Sequence, residues 1–195
     1  FMFRYQNVFF AIVLALVLAG GLFSTPAAAK NPVATITTNN GVIMVELFPG
    51  RAPKTVANFL AYVKEGHYTK TIFHRVMRGF MIQGGGFDLG FKKIPAPRMV
   101  QSEADNGLKN KMGTIAMARL PDPHSASAQF FINTVDNKGL DHWVKTPRGW
   151  GYAVFGKVIS GMNVVRSIED TPTMNRGHLQ NVPQRPIIIK SITVR

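Results

Sequence analysis

The most informative stretch of the chain is FHRVMRGFMIQGGGF, residues 73–87. In a regular strand, residues two apart share a face, so this stretch predicts that Phe73 and Arg75 point one way, as do Met81 and Gln83. The stretch contains no acidic residue that could neutralise Arg75, and a desolvated charge without a partner is costly. We therefore interpret the stretch as a binding surface whose ligand supplies the missing partner.

Short β-type runs make up most of the remaining chain. Residues 33–38 and 42–47 are rich in β-branched side chains and flank Asn39-Asn40-Gly41, a sequence typical of a hairpin turn. Further runs lie at residues 71–76, 80–83, 113–118, 129–133, 152–158 and 187–194. Many short strands separated by turn residues favour a mainly β barrel or sandwich over a parallel α/β sheet.

Two helices are predicted among these strands. The first begins at Pro53 and ends at Gly66, with one apolar stripe formed by Val56, Phe59, Leu60 and Val63. The second covers residues 162–168, after Gly161. Residues 87–110 and 120–128 carry several Pro, Gly and Ser and are predicted to be loops, where binding residues often lie.

The N-terminal segment has the pattern of a signal peptide. Arg4 is followed by an apolar run at residues 8–23 and by Ala27-Ala28-Ala29, a typical cleavage site. An uncleaved membrane anchor is the alternative, because the apolar run approaches the length of a short spanning helix. We expect residues 1–29 to be a signal peptide and residues 30–195 to be one exported domain, without stable membrane association after cleavage.

Composition excludes several classes of site. The formal net charge is +13, but the basic residues are scattered and form no groove-reading motif, so we expect a solvated basic surface and no nucleic-acid partner. With no cysteine, the chain forms neither disulfides nor thiolate sites. The five histidines lack metal-ligand spacing, so no metal is predicted. Gly84-Gly85-Gly86 is followed by no phosphate-loop lysine and is interpreted as a turn.

Four clusters stand out as an ordered set. They are residues 73–87, GTIAMAR at 113–119, SAQFFIN at 127–133 and GYAVFGKV at 151–158. Taken singly, their apolar side chains are predicted to be core, namely Phe73, Phe130, Ile132 and Phe155. Taken together, the clusters resemble the cyclophilin family of peptidyl-prolyl isomerases, and the resemblance extends from Val33 to Val194.

This resemblance implies a fold and a site. The fold would be a closed eight-stranded antiparallel barrel capped by two helices. Arg75 and Gln83 would be the catalytic residues, and no cofactor would be needed. The substrate-binding residues would be Phe80, Met81, Ala118, Arg119, Gln129, Phe131, Leu140 and Tyr152.

Three positions depart from the pattern of well-known family members. Arg119 stands where the family usually has an asparagine, whose main chain grips the substrate, so the change need not abolish binding. Tyr152 replaces a histidine at the pocket rim. Gly139 replaces a tryptophan that contributes to cyclosporin binding, so we expect this chain to bind cyclosporin weakly.

The predicted reaction is isomerisation of X-Pro peptide bonds. The partners would be proline-containing unfolded or flexible segments of exported proteins, and the enzyme would be a periplasmic monomer. His74, on the strand face opposite Phe73, is predicted to be structural rather than a general base. The alternative function is a non-catalytic chaperone module that binds proline-containing loops in the same pocket.

Overall fold

The computed structural model describes residues 30–195, and the predicted signal peptide lies outside them. Eight strands close into an antiparallel barrel in the order β1-β10-β3-β4-β6-β5-β7-β2, with a separate two-stranded sheet of β8 and β9. The elements are β1 Val33–Thr38, β2 Val42–Leu47, α1 Pro53–Lys64, β3 Thr71–Met77, β4 Met81–Asp88, β5 Thr114–Met117, β6 Phe130–Asn133, β7 Val154–Ser160, α2 Met162–Glu169, β8 Thr173–Arg176, β9 Leu179–Pro183 and β10 Ile188–Val194. The predicted fold class is confirmed.

The barrel is filled by side chains that alternate along its strands. Side chains of the two helices pack against them. Phe73, Phe130, Ile132 and Phe155, the four predicted core residues, are at most 1% exposed. From α1, the Phe59 ring lies 6.0 Å from the ring of Phe130 and 5.3 Å from that of Phe155. Val165 and Ile168 of α2 join the same cluster. The barrel interior is therefore a packed core and leaves any binding site to the outside.

The face that α1 turns to the core differs from the predicted stripe. Leu60 and Val63 are only half-buried, whereas Thr55 and Tyr62 are buried. The cause lies in the long loop after β4. Its Glu103 carboxylate accepts hydrogen bonds from the Thr55 N–H and hydroxyl at 2.8 and 2.7 Å, and a loop carbonyl accepts one from the Tyr62 hydroxyl at 3.0 Å. This loop covers a face of the helix that its apolar pattern alone leaves to solvent.

Strand β3 contains a bulge that reverses one prediction. Phe73 pairs with Gly84 and Arg75 pairs with Gln83, so His74 is an extra residue opposite a single step of β4. Because neighbouring residues of β4 face opposite sides, Phe73 and Arg75 do as well. The prediction that they share a face was wrong. Phe73 points into the barrel and Arg75 points out of it.

The glycine run is also part of a strand. Gly84, Gly85 and Gly86 lie within β4 and form no turn, which corrects the sequence interpretation. Between the pairs Thr71–Asp88 and Phe73–Gly84, three residues of β4 lie opposite one of β3, so the run is a second bulge, and Gly85 has a positive φ of 83°. Glycine tolerates this backbone better than other residues. The bulge bends β4 where it borders the outer face described below.

The sequence did not predict the β8–β9 hairpin. Most of β8 is exposed, and neither strand has the apolar alternation of a half-buried strand. Within residues 30–195, no helix is long and apolar enough to span a membrane.

Candidate functional site

A second apolar cluster lies on the outer face of the barrel. Met81, Ala116, Phe131 and Val154 are its buried members, one each from β4, β5, β6 and β7. Strand register brings them side by side, since Phe131 pairs with Ala116, and Ala116 with Val154. Two of them, Met81 and Phe131, form the floor of a cavity of about 160 Å³, called here the outer pocket. It is lined by Arg75, Phe80, Met81, Gln83, Ala118, Arg119, Phe131, Leu140 and Tyr152.

Nine of the ten predicted site residues thus lie around one cavity. The tenth, Gln129, lies in an adjoining depression that also contacts Gln83, Ala118 and Arg119. The structure therefore brings together residues from five separate parts of the sequence.

Arg75 stands at the edge of the outer pocket at the start of a chain of polar contacts. Its Nη1 donates to Gln83 Oε1 at 3.3 Å and its Nη2 to Met77 Sδ at 3.0 Å. Gln83 Nε2 in turn donates to Gln129 Oε1 at 3.0 Å. Among residues 30–195, no carboxylate forms an ion pair with Arg75. The guanidinium is held by neutral acceptors, and its charge stays available to a ligand.

The glycine bulge makes room for Gln129. A Cβ on Gly86 would overlap the carboxamide of Gln129, with the Cδ, Nε2 and Cγ atoms all in the way. Because Gly86 lacks that atom, Gln129 can lie across the bulge and accept from Gln83. The glycines therefore contribute to the site through β-sheet geometry and not as a phosphate-binding loop.

A buried network of asparagines holds the far wall of the outer pocket. Asn133 is fully buried, donates to Asn110 Oδ1 at 3.2 Å and accepts from Asn137 at 2.7 Å. Asn137 also donates to the carbonyl of Phe80 at 2.8 Å, and Asn110 donates to that of Leu140 at 3.0 Å. Buried polar groups satisfied in this way fix geometry more strongly than apolar contacts do.

The sequence analysis missed this network. Asn110 ends a predicted loop, Asn137 lies in a segment without a structural prediction, and Asn133 ends a strand. Asn133 is a polar residue that closes an apolar strand, and that was the one available signal. Met77 was also missed, because a methionine in an apolar run is usually core.

The main chain beside β5 has free hydrogen-bonding groups. The Ala118 N–H donates to Gln129 O at 2.9 Å. Within residues 30–195, the carbonyl of Ala118 and the N–H of Arg119 have no hydrogen-bond partner of their own. A peptide lying along this edge can use both groups.

Tyr152 forms the rim. Its ring meets the ring of Phe131 edge-on, with centroids 5.6 Å apart, and its N–H donates to Leu140 O at 2.9 Å. Gly139, next to Leu140, is exposed, and a Cβ there would meet no atom within 4 Å. A larger side chain at this position, where the resembled pattern has a tryptophan, would enter open space.

His74 is buried in the bulge behind Arg75. Its ring packs at a tilt of 49° against Phe87, with centroids 4.5 Å apart, and its Nδ1 has no hydrogen-bond partner within residues 30–195. Burial, and secondly the charge of Arg75, lower the pKa of His74 to about 4. The imidazole is neutral near pH 7 and buried, which agrees with the predicted structural role. Within residues 30–195, no three His, Asp or Glu side chains are grouped to hold a metal ion.

Comparison with known proteins gives one consistent result. Residues 33–194 match the family model for "Cyclophilin type peptidyl-prolyl cis-trans isomerase/CLD". The chain is 56% identical over 162 residues to peptidyl-prolyl cis-trans isomerase cyp18 of Streptomyces antibioticus, covering 82% of this chain and 96% of the relative. It is 51% identical over 162 residues to peptidyl-prolyl cis-trans isomerase B of Escherichia coli, covering 83% and 99%.

A solved structure gives the same result. The Cryptosporidium parvum cyclophilin type peptidyl-prolyl cis-trans isomerase, crystallised in the presence of the dipeptide Ala-Pro, superposes with a TM-score of 0.68. The two chains share 31% sequence identity, and the match covers 84% of this chain and 98% of that one.

Proposed function

The chain belongs to the cyclophilin-type peptidyl-prolyl cis-trans isomerases, and we propose that its outer pocket isomerises X-Pro bonds in flexible segments of exported proteins. The family and activity predicted from the sequence are confirmed by the family model and the relatives. The residue roles, the clients and the compartment are the proposal.

The reaction needs no nucleophile and no metal. Resonance gives the peptide C–N bond a rotational barrier of roughly 18–20 kcal/mol. At X-Pro bonds the two isomers differ by only about 0.5–1 kcal/mol, so exchange is slow but nearly balanced. A catalyst has to hold one side of the bond and favour the twisted amide. An apolar pocket beside one strong hydrogen-bond donor meets both needs.

The apolar floor and walls of the outer pocket would hold the proline ring. Met81 and Phe131 are at most 4% exposed and form the floor. Phe80, Leu140 and Tyr152 are partly buried around it. Burial of the ring fixes one side of the rotating bond, while the residue before proline stays outside and turns.

Arg75 would supply the donor. As the amide twists, the nitrogen lone pair leaves resonance and the nitrogen becomes a better hydrogen-bond acceptor. A guanidinium aimed at that nitrogen, or at the proline carbonyl, binds the transition state more tightly than the ground state. Because Gln83 and Met77 are its only acceptors within residues 30–195, Arg75 keeps further N–H groups for the substrate. This free guanidinium beside an apolar cavity is the observation that carries the proposal.

The peptide on either side of the proline would lie along polar groups. The Ala118 carbonyl and Arg119 N–H can pair with the substrate main chain, because neither has a partner within residues 30–195. Gln83 and Gln129 form a continuous carboxamide pair that can accept and donate further bonds. Such contacts fix the register of an extended segment and tolerate many side chains.

Two observations support the choice of clients. The Cryptosporidium parvum relative was crystallised in the presence of Ala-Pro, which supports proline-containing segments as partners here. The signal-peptide pattern of residues 1–29 supports export to the periplasm. We further propose that the mature enzyme is a monomer, without nucleic-acid partners and without stable membrane association.

A protease-coupled cis/trans assay on a proline tetrapeptide tests the activity against the chaperone alternative. Catalysis predicts faster exchange at enzyme concentrations far below that of the peptide. A binding module would instead retain the peptide without accelerating exchange, and that result would overturn the proposal. N-terminal sequencing of protein recovered from whole cells tests export, with a mature start near Lys30 expected. A start near residue 1 would indicate a membrane anchor.

A further inference from the structure

The guanidinium of Arg119 donates hydrogen bonds to main-chain carbonyls of the protein itself. Its Nε donates to the carbonyl of Gly151 at 2.8 Å and its Nη2 to that of Pro147 at 3.1 Å. Its Nη1 donates to the carbonyls of Leu120 and Pro121 at 3.0 and 3.1 Å. The guanidinium carbon also lies 4.8 Å from the centre of the Tyr152 ring. Few of its N–H groups remain for a ligand.

These contacts join two loops at the mouth of the outer pocket. One loop is residues 119–121, directly after β5, and the other is residues 141–151, which leads into β7. The planar guanidinium fork suits several carbonyls at once, so one side chain bridges both loops.

The same contacts hold Tyr152 in two ways. Gly151, whose carbonyl receives the Nε bond, is the residue before Tyr152 and has a positive φ of 67°. The face of the Tyr152 ring receives the cation, at a distance where cation–π attraction operates. The Tyr152 ring also meets the Phe131 ring edge-on, and this contact fixes the position of the rim relative to the pocket floor. Arg119 therefore restrains both the backbone before Tyr152 and the Tyr152 ring, in addition to the Leu140 and Phe131 contacts.

The guanidinium groups of Arg119 and Arg75 differ in the hydrogen-bond acceptors they contact. Arg75 has two neutral side-chain acceptors and faces the cavity. Arg119 has four main-chain acceptors and an aromatic ring. One guanidinium is available to a substrate and the other is occupied by the protein.

We propose that Arg119 is a positioning residue that sets substrate affinity by holding Tyr152 and the two loops, and takes no part in the twisting of the bond. The inference rests on the proposed role of the outer pocket as the substrate site. It assigns the Arg119 side chain a task separate from that of its main chain. The fork, and not the positive charge alone, is the property required.

The test compares Arg119→Lys and Arg119→Gln with the wild-type protein. For a proline tetrapeptide we expect KM to rise roughly 3- to 10-fold in both variants, and kcat to stay within about twofold. Lysine keeps the charge and the aliphatic stem but cannot form the fork. If Arg119→Lys retains the wild-type KM, charge alone suffices and the proposal fails. A fall in kcat at constant KM would make Arg119 a transition-state donor, which also overturns it.

A double-mutant cycle with Tyr152→Leu tests the route of the effect. If Arg119 acts through the Tyr152 ring, Arg119→Gln should raise KM much less in the Tyr152→Leu background than in the wild type. Equal effects in both backgrounds contradict the proposal. Peptide dissociation constants from NMR titration give the same comparison without turnover. If the wild-type protein shows no isomerase activity, the proposed function is refuted. The peptide dissociation constants of the variants would still decide the inference about Arg119.

Discussion

Phe73 and Arg75 are two residues apart in β3 yet point to opposite sides of the barrel wall. The bulge at His74 separates them, so that Phe73 pairs with Gly84 and Arg75 with Gln83. Phe73 packs its ring 6.0 Å from that of Phe130 in the core. Arg75 emerges beside Met81 at the outer pocket. One inserted residue thus lets a single strand serve both the core and the site.

Arg75→Ala should lower kcat/KM by ~10²-fold or more, because it removes a donor aimed at the transition state. Stability should change little, since Arg75 is half-buried and, within the described chain, forms no ion pair. The protease-coupled assay and thermal unfolding measure the two quantities. Arg78→Ala is the matched control, because Arg78 is exposed, lies three residues further on, and forms only a surface pair with Asp170 at 3.4 Å. Wild-type activity in Arg75→Ala would remove its assigned role.

Because the pKa of His74 is lowered in the folded protein, the free energy of unfolding should fall in mild acid. The folded protein takes up a proton at His74 only near pH 4, whereas the unfolded chain does so near 6.5. Between these values the unfolded state binds more protons, so stability is present above pH 6.5 and declines as the pH falls to 4. The loss is on the order of 3 kcal/mol at pH 4.

His74→Leu should remove this part of the pH dependence. Denaturant unfolding at several pH values between 4 and 7 measures it, and the comparison is of slopes, whatever the absolute stability of the variant. His67, whose pKa is also lowered by burial, leaves some residual slope in both proteins. His178→Gln, at an exposed position, should keep the full wild-type slope. Identical slopes in His74→Leu and wild type would show that His74 is not the group responsible.

The sequence allowed most residues of the outer pocket to be predicted, but not the bulge and the buried contacts that hold them in place. Arg75, Gln83, Phe131 and Tyr152 lie in motifs whose residue order carries the family resemblance. The bulge at His74 was beyond prediction because strand register depends on the partner strand, and pattern alone assumes regular alternation. The contact between Asn110 and Asn133 was equally hidden. It joins residues 23 apart, and nothing in the sequence of either segment indicates the other as its partner.

Met77 should act as a second acceptor that orients Arg75. Its sulfur lies 3.0 Å from Arg75 Nη2, and leucine in its place would keep the volume but lose the acceptor. Because one hydrogen bond contributes about 0.5–1.5 kcal/mol, Met77→Leu should lower kcat/KM by roughly 2- to 10-fold with little change in stability. Met77→Gln restores an acceptor and should recover part of the loss. If Met77→Leu has full activity, the thioether contact has no functional weight.

Gly139→Trp should raise the affinity for cyclosporin. Tryptophan stands at this position in well-known family members and contributes to that binding. A side chain at residue 139 would enter open space, and the position is exposed, so the fold should tolerate it. Isothermal titration with cyclosporin should show a lower Kd for the variant than for the wild type. An unchanged Kd would mean that other rim residues, Tyr152 first among them, limit the binding.

Gly86→Ala should weaken substrate binding through Gln129. The new methyl group would occupy the space of the Gln129 carboxamide, so Gln129 must move and lose its 3.0 Å bond from Gln83. We expect KM to rise roughly 3- to 10-fold, because in the proposed binding mode the displaced groups contact the substrate main chain and not the twisting bond. Gly50→Ala is the matched control, since a Cβ there meets nothing within 4 Å. If both variants have the wild-type KM, Gln129 adapts to the methyl group and the open bulge is not needed for substrate binding.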